Sequence, residues 1–436
     1  MRAPKGRILN LRDTARLLRN SKLYDHIVRS RAYYRLHCLS DSLARILGSI
    51  RSNFGLKNAA SRHLIFAPTG GGNIGDQALL EATLYALHGP VTVLATSESA
   101  LVIPEADRER VRFESIAGFT YLPPLLRIPA AIRFVRILAA GRSLSVIGAD
   151  LMDGAYNAGA SLARSSGLWL AAKQGIPSVL LGCSWAGSAV PTCTLALKRA
   201  GAAGAHLNFR DAISQRRAAA SGIAGARLTS DIVFGDVRIE STHRLSSFVE
   251  TSRNEGRRVA LVNASGLVGK RIDQKGEYVD IVKSLLSSHF SVILLPHVFR
   301  STGDDLHECQ GILEALNEPG VMLVDSMLRP SEIRALCRDS DLVVTGRMHL
   351  AVMALGQGVV PITLGTHGKV EGLYQHFDGL DFCVEPTVGF GQRVVDLWPE
   401  AMTQDSLWTR SLPAVVSLSQ GNFVLQAPDL SPSESQ

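Results

Sequence analysis

The stretch 67-APTGGGNIGDQALLEATLYALHG-89 follows a short apolar run and opens into a helical pattern, and its reading decides the fold. Gly70, Gly72 and Gly75 stand in G-x-G-x-x-G spacing. Glycines between a strand and a helix allow a tight turn, and the helix N-terminus beyond them offers unpaired N–H groups and partial positive charge to an anion. The spacing suits a dinucleotide turn, and Glu98 lies near enough to serve as the ribose acid such a site needs. Against it, Asp76 follows Gly75 directly and puts a carboxylate beside the place a pyrophosphate would take. The bland reading of Asp76 is an acid complementing the helix dipole. No Lys-Ser/Thr follows the glycines, so a P-loop fails. The loop is either a dinucleotide turn or an anion cradle of another kind.

Outward from this loop the pattern is regular. RHLIFAP (62–68), VTVLATS (91–97), SLSVIGAD (143–150), PSVLLGCSW (177–185) and AHLNFRD (205–211) are short apolar runs separated by helical segments. They read as strands buried on both faces, as a covered parallel sheet requires. A polar, Arg-rich joint around 238–257 interrupts the series, which restarts at RVALVNASG (258–266) and runs to VVPITLGT (359–366). Two such series predict an α/β protein of two Rossmann-like domains facing each other across a cleft. The boundaries fall at 61–245 and 246–385, between a basic helical extension over 1–60 and a tail over 386–436 that packs back and frays in PDLSPSESQ.

The extension holds thirteen Lys and Arg against three acids, while the whole chain carries +7, so the remainder is net −3. Basicity confined to one segment speaks against a nucleic-acid partner. In the extension, apolar positions recur at helical spacing (Ile8, Leu11, Ala15, Leu18, then Leu36, Leu43, Ile46, Ile50). This describes either an extra helical layer packed on the core or a basic amphipathic surface resting on anionic lipid. The six cysteines are scattered, without C-x-x-C or zinc spacing, which disfavours a metal and a disulfide framework and suits a reducing compartment. The N-terminus lacks the apolar run of a signal peptide, and no stretch is long and apolar enough to span a bilayer. The expected location is the cytoplasm, with peripheral contact at the inner face of the membrane as the extension's second reading.

The chemistry lies in 341-DLVVTGRMHLAVMALGQGVVPITLGTHGKVEGLYQHFDG-379. A buried strand ends at Val344, Gly346 makes the turn, and Arg347 and His349 stand at the strand's carboxyl end, where open α/β sheets bind ligands. A guanidinium grips a carboxylate or phosphate in bidentate fashion, and an imidazole moves protons near neutrality. Lys369 and Glu371 open the next helix on the same rim. For His349 the bland alternative is a capping or core histidine.

With these blocks in view, the sequence resembles the polysaccharide pyruvyltransferases. The resemblance rests on Gly-Gly-Asn-Ile-Gly-Asp (71–76), Gly148-Asp150-Asp153-Gly154, Phe-Arg-Asp with a following serine (209–214) and Ser-Asp-Ile-Val-Phe (230–234). It continues through Leu-Pro-His (295–297), Gly-Arg-Met-His (346–349) and Lys-Val-Glu-Gly-Leu (369–373). It spans about residues 62–380, and the extension 1–60 has no counterpart in it. The resemblance implies a GT-B-like fold and transfer of pyruvyl from phosphoenolpyruvate, the donor substrate, onto two hydroxyls of a sugar as a ketal. The acceptor it implies is a surface polysaccharide or its lipid-linked precursor, with no further cofactor and no metal. His349 is then the expected general acid. Arg347 and Arg210 hold the donor, and Asp76, Asp153 or Glu371 orient the acceptor hydroxyl. Gly72, Asn73, His297 and Lys369 complete the substrate contacts. Two rivals share the architecture: a GT-B nucleotide-sugar glycosyltransferase and a non-catalytic scaffold at the membrane.

Overall fold

The computed structural model describes residues 26–52, 62–300, 304–316, 318–365, 368–403 and 405–423. The expected helical positions Ile8, Leu11, Ala15 and Leu18 and the Ser/Pro-rich end lie outside these residues.

Two parallel sheets form the molecule. The first contains β1 (Arg62–Phe66), β2 (Val91–Ala95), β3 (Val111–Ser115), β4 (Gly141–Ala149), β5 (Ser178–Cys183), β6 (His206–Phe209) and β7 (Ala226–Leu228), in the order β3-β2-β1-β4-β5-β6-β7. The second contains β8 (Arg258–Asn263), β9 (Phe290–Leu294), β10 (Val321–Leu323), β11 (Leu342–Thr345), β12 (Pro361–Leu364) and β13 (Cys383–Val384), in the order β10-β9-β8-β11-β12-β13. Both orders reverse after the first strand of the series, β1 beside β4 and β8 beside β11, which opens a crevice at the strands' carboxyl ends. The central strands are buried along nearly their whole length because helices cover both faces, which is why they read as unbroken apolar runs. The helix Asp405–Gln420 and the turn after it return from the second sheet to the first. Trp408 packs among Tyr374, Phe377 and Phe382, and the Asn422 side chain accepts the Gly182 N–H at 3.0 Å.

The helix Arg31–Ser52 departs from the reading as a layer packed through its apolar positions. Its inward face is polar: His37, Ser40 and Asp41 are buried with Ala44 and Gly48, while Leu36, Leu39, Leu43, Ile46 and Leu47 are exposed. The reason is an ion-pair network. Asp41 accepts from Arg127 at 2.8 Å, from Arg199 at 2.9 Å and from the Ser166 hydroxyl at 2.7 Å, and Arg127 also lies 3.0 Å from His37 Nε2.

Candidate functional site

The two domains meet at the glycine loop. Gly70, Gly71 and Gly72 all take positive φ, a conformation side-chain-bearing residues rarely adopt. The Phe299 N–H donates to the Gly72 carbonyl at 2.7 Å, the Ile74 N–H donates to the His297 carbonyl at 3.2 Å, and Asn73 bridges Val298. A Cβ on Gly72 would stand 1.9 Å from the Phe299 carbonyl oxygen. Arg300 donates to the Gly71 carbonyl at 2.7 Å. Three of the loop's own donors are spent inside the protein: Gly70 N–H on Asp76 at 3.0 Å, Gly71 N–H on the Ala100 carbonyl, and Gly75 N–H on the Asn73 cap. Glu98 lies in a short exposed turn, Glu98–Ala100. The loop therefore clasps the second domain with several of its N–H donors committed inside the protein, which together with the Asp76 carboxylate beside them counts against the dinucleotide reading. Gly72 and Asn73, expected to touch substrate, take part in this clasp.

Behind the clasp lies a seam of paired charges. His349, in the first turn of the helix Met348–Gly356, has its Nδ1 against Gly75, where a Cβ would come within 2.4 Å of it. Its Nε2 stands 3.6 Å from Asp231. Asp231 caps the turn Ile232–Gly235 and accepts from Arg210 at 2.8 Å. Burial by itself would raise the Asp231 pKa, but His349 and Arg210 override it and hold the carboxyl well below the usual range. Arg210 is buried and donates also to Ser184 at 2.8 Å. Arg347 is engaged by Asp305 through Nε at 3.0 Å and Nη2 at 2.5 Å, and Asp305 in turn accepts the His297 and Val298 N–H groups. His297 is buried between these groups, and burial, with His349 and Arg347 nearby, pushes its pKa well below the ordinary value.

Beyond Ser184, which accepts from Arg210, lies a cavity of about 520 Å³ whose walls include Ser184, Asp150, Asp153, Tyr156, Trp185, Arg217 and Lys369. That volume is within the range of small-ligand sites. The left-handed backbone of Ala149 turns the chain at the end of β4, and Asp150 follows it. Lys369 crosses from the second domain to Asp150 at 2.8 Å. Burial opposes ionisation of Asp150, yet Lys369 and Arg210 hold its carboxyl well down. The Tyr156 hydroxyl donates to the same carboxylate at 3.2 Å, and burial beside Asp150 pushes the phenol up. Asp153 accepts the Ala155 N–H at 2.9 Å, but burial wins and raises its pKa; burial likewise raises Asp76, against the pull of Arg300. The Arg217 guanidinium borders Gly187 and Gly368, and no hydrogen bond or ion pair ties it to another described residue.

Of the residues singled out from sequence, Asp153 and Lys369 line the cavity, whereas Arg210, Arg347, His349 and Asp76 belong to the neighbouring seam and do not line it. Glu371 does not join them: it lines a separate hollow with Arg271, Cys383 and Glu385, because it sits two positions along the helix from Lys369 and projects to another side. His297 is buried rather than presented to the cleft. Asp150, Asp231, Asp305, Tyr156 and Arg217 were missed as site residues. Asp150 and Asp231 stood inside the quoted motifs, whereas Asp305, Tyr156 and Arg217 carry no local signal.

Two parallel sheets clasped across a polar cleft at their strand ends define a GT-B-type α/β enzyme architecture. The chain belongs to the polysaccharide pyruvyl transferase family, which it matches over residues 73–368, and is thereby a transferase by family. Among solved structures it is similar to the UDP-GlcNAc 2-epimerase of Methanocaldococcus jannaschii, at 10% identity over 84% of this chain and 99% of that one, with a TM-score of 0.55. It is also similar to Anabaena Alr3699/HepE in complex with UDP and glucose, at 12% identity over 83% and 95%, TM-score 0.52. A third is the S. aureus MnaA–UDP structure, at 9% identity over 87% and 100%, TM-score 0.52. At such identities the likeness speaks to fold alone. By sequence, no curated protein matches the chain. No helix among the described residues is long and apolar enough to cross a membrane.

Proposed function

We propose that the cavity binds phosphoenolpyruvate and that the enzyme transfers its pyruvyl group onto two hydroxyls of a sugar, in a surface polysaccharide or its lipid-linked precursor, forming a ketal. The observation that carries this reading is the placement of Arg217 and Lys369 opposite Asp150 and Asp153 in one cavity, inside the region that matches the family. Phosphoenolpyruvate is a compact polyanion with a carboxylate and a phosphate, and its site needs cations close together. Arg217 and Lys369 line the cavity whereas Arg210 and Arg347 do not, so in this reading the donor's anionic groups fall to Arg217 and Lys369. Lys369 exchanges Asp150 for the donor. Arg210 and Arg347 keep the seam rigid.

The chemistry then runs in two additions. A proton goes to the donor's methylene carbon, leaving the neighbouring carbon electron-poor, and a sugar hydroxyl adds there. The bond from that carbon to the phosphate oxygen breaks, inorganic phosphate departs, and the second hydroxyl closes the ketal. The two hydroxyl protons replace the one taken up by carbon and balance the departing phosphate. In this scheme His349, 3.6 Å from Asp231, is the proton donor, reaching the substrate from the seam rather than from the cavity wall. Asp153, whose pKa burial raises, receives the acceptor hydroxyl proton.

Calorimetric titration with phosphoenolpyruvate, UDP-GlcNAc, a GDP-sugar and NADH tests the reading. Phosphoenolpyruvate alone should bind, and Arg217→Met and Lys369→Met should each weaken it by about tenfold or more. The relatives crystallised with UDP keep the nucleotide-sugar reading in play. Binding of UDP-GlcNAc with no heat from phosphoenolpyruvate would replace our proposal with that one.

A further inference from the structure

An exposed apolar stripe runs along the helix Arg31–Ser52, on the side facing away from the protein. Leu36, Leu39, Leu43, Ile46 and Leu47 are between 38% and 52% exposed. Their spacing of three, four, three and one puts them on one side of the helix. Soluble helices turn such a side inward, and here it is turned out. Next to the arginine that grips this helix, Leu125 and Leu126 are 59% and 61% exposed.

The helix is not free to roll. Asp41 is fully buried, and its carboxylate is held by Arg127, Arg199 and Ser166. Gly48 packs so closely on the neighbouring helix Ile128–Ala139 that a Cβ there would lie 2.4 Å from Val135. Rolling the leucines inward would tear the carboxylate from two arginines and force a side chain into the space that glycine leaves. The outward apolar face is therefore fixed by buried electrostatics, and its exposure asks for a partner.

Charge identifies that partner. The exposed ionic groups beside the stripe are cations, Arg29, Arg31 and Arg35, and the helix's one carboxylate is buried and paired. The sequence before it, residues 1–25, adds seven Lys and Arg against two Asp. A second copy docking isologously would set these arginines against themselves. An anionic bilayer satisfies both parts, taking the leucines below the headgroups and the arginines among the phosphates.

We propose that the outward face of the helix Arg31–Ser52 is a docking surface for an anionic lipid bilayer. It rests on the burial pattern and charge of this helix, not on the reaction assigned to the cleft. It holds the transferase at the membrane surface as a peripheral protein.

The full chain is floated with vesicles of phosphatidylcholine alone and of phosphatidylcholine with phosphatidylglycerol, at low and high salt. Wild type should float with the anionic vesicles, stay behind with the neutral ones, and bind less as salt screens the arginines. The triple variant Leu36→Gln/Leu43→Gln/Ile46→Gln should lose about tenfold or more of its partitioning with an unchanged thermal midpoint, since the changed side chains already face water. Arg31→Glu/Arg35→Glu should lose anionic binding too. Flotation of the triple variant at the wild-type level would overturn the proposal. So would a wild type that ignores both vesicles but is a dimer by light scattering and a monomer in the triple variant, because the stripe would then serve self-association.

Discussion

Gly75 lacks a side chain because the His349 imidazole fills the space a Cβ would need. This one contact joins the sequence's two most recognisable blocks, the glycine loop and Gly-Arg-Met-His, across the domain boundary. Gly75→Ala should therefore displace the imidazole without touching Arg217 or Lys369. If the cleft transfers pyruvyl as proposed, with His349 as proton donor, phosphate release from phosphoenolpyruvate in the transfer assay should fall about a hundredfold, as displacement of a reacting group by an ångström costs. Calorimetric affinity for phosphoenolpyruvate should hold. Equal loss of both would mean that the loop, rather than His349, was disturbed. How much of the site was legible follows from the same geometry. Strand-end residues such as His349 and Lys369 announce themselves because a turn glycine and a buried strand precede them. Their partners do not: Lys369 meets Asp150 across 219 positions and Arg347 meets Asp305 across 42. No local pattern encodes such pairings, so Arg210 and Arg347 read as unclaimed cations when each has a carboxylate.

At the scale of elements, the Arg31–Ser52 helix shows how a periodic pattern fixes a face without fixing its direction. Helical spacing was legible in Leu36, Leu43 and Ile46, but which side turned inward was decided by Asp41 finding Arg127 and Arg199. Removing half of such a buried network strands the other half. Asp41→Asn should cost about 3–5 kcal/mol in urea denaturation by leaving Arg127 and Arg199 short of a counter-charge. Replacing Asp41 and Arg127 together by apolar residues should recover much of that loss. The same network carries a pH signature. Burial and the Arg127 charge lower the His37 pKa to about 3, against about 6.5 for an unfolded histidine. Facing it are Asp41, which pulls the other way, and Arg199, which adds to the lowering. The unfolded chain thus binds a proton that the folded chain refuses. This contribution is fully present above about pH 6.5 and is lost as pH falls towards 3, by up to about 1.4 kcal/mol per pH unit. His297 acts in the same direction. Denaturation midpoints of wild type and His37→Gln, compared at neutral pH and around pH 5, should show a flatter slope in the variant.

Across the whole molecule, the alternation of buried strands and helices made both sheets readable, since each strand had to be apolar on two faces. What the pattern could not carry was how the halves are held together, because that depends on backbone and aromatic contacts far apart in sequence. Two devices do it. The glycine loop reaches from the first domain to the segment after β9, and the C-terminal segment returns from the second domain to the first. The second device rests on Trp408, which stacks on Phe377 at a centroid distance of 5.0 Å and meets Tyr374 and Phe382 edge-on. Gly379 must be a glycine because a Cβ there would lie 2.3 Å from the indole. The hydrophobic core that includes Trp408 also takes in strand residues of both sheets, so the domains should unfold as one unit. Trp408→Ala removes the indole from the middle of that core and leaves a cavity, at a cost of about 3–5 kcal/mol. In urea denaturation followed by far-UV circular dichroism, the midpoint should fall by that amount with a single transition. A variant that instead unfolds in two steps would place the join between the domains in the C-terminal segment and leave the glycine clasp a minor part. Loss of less than about 1 kcal/mol would show that the clasp alone suffices.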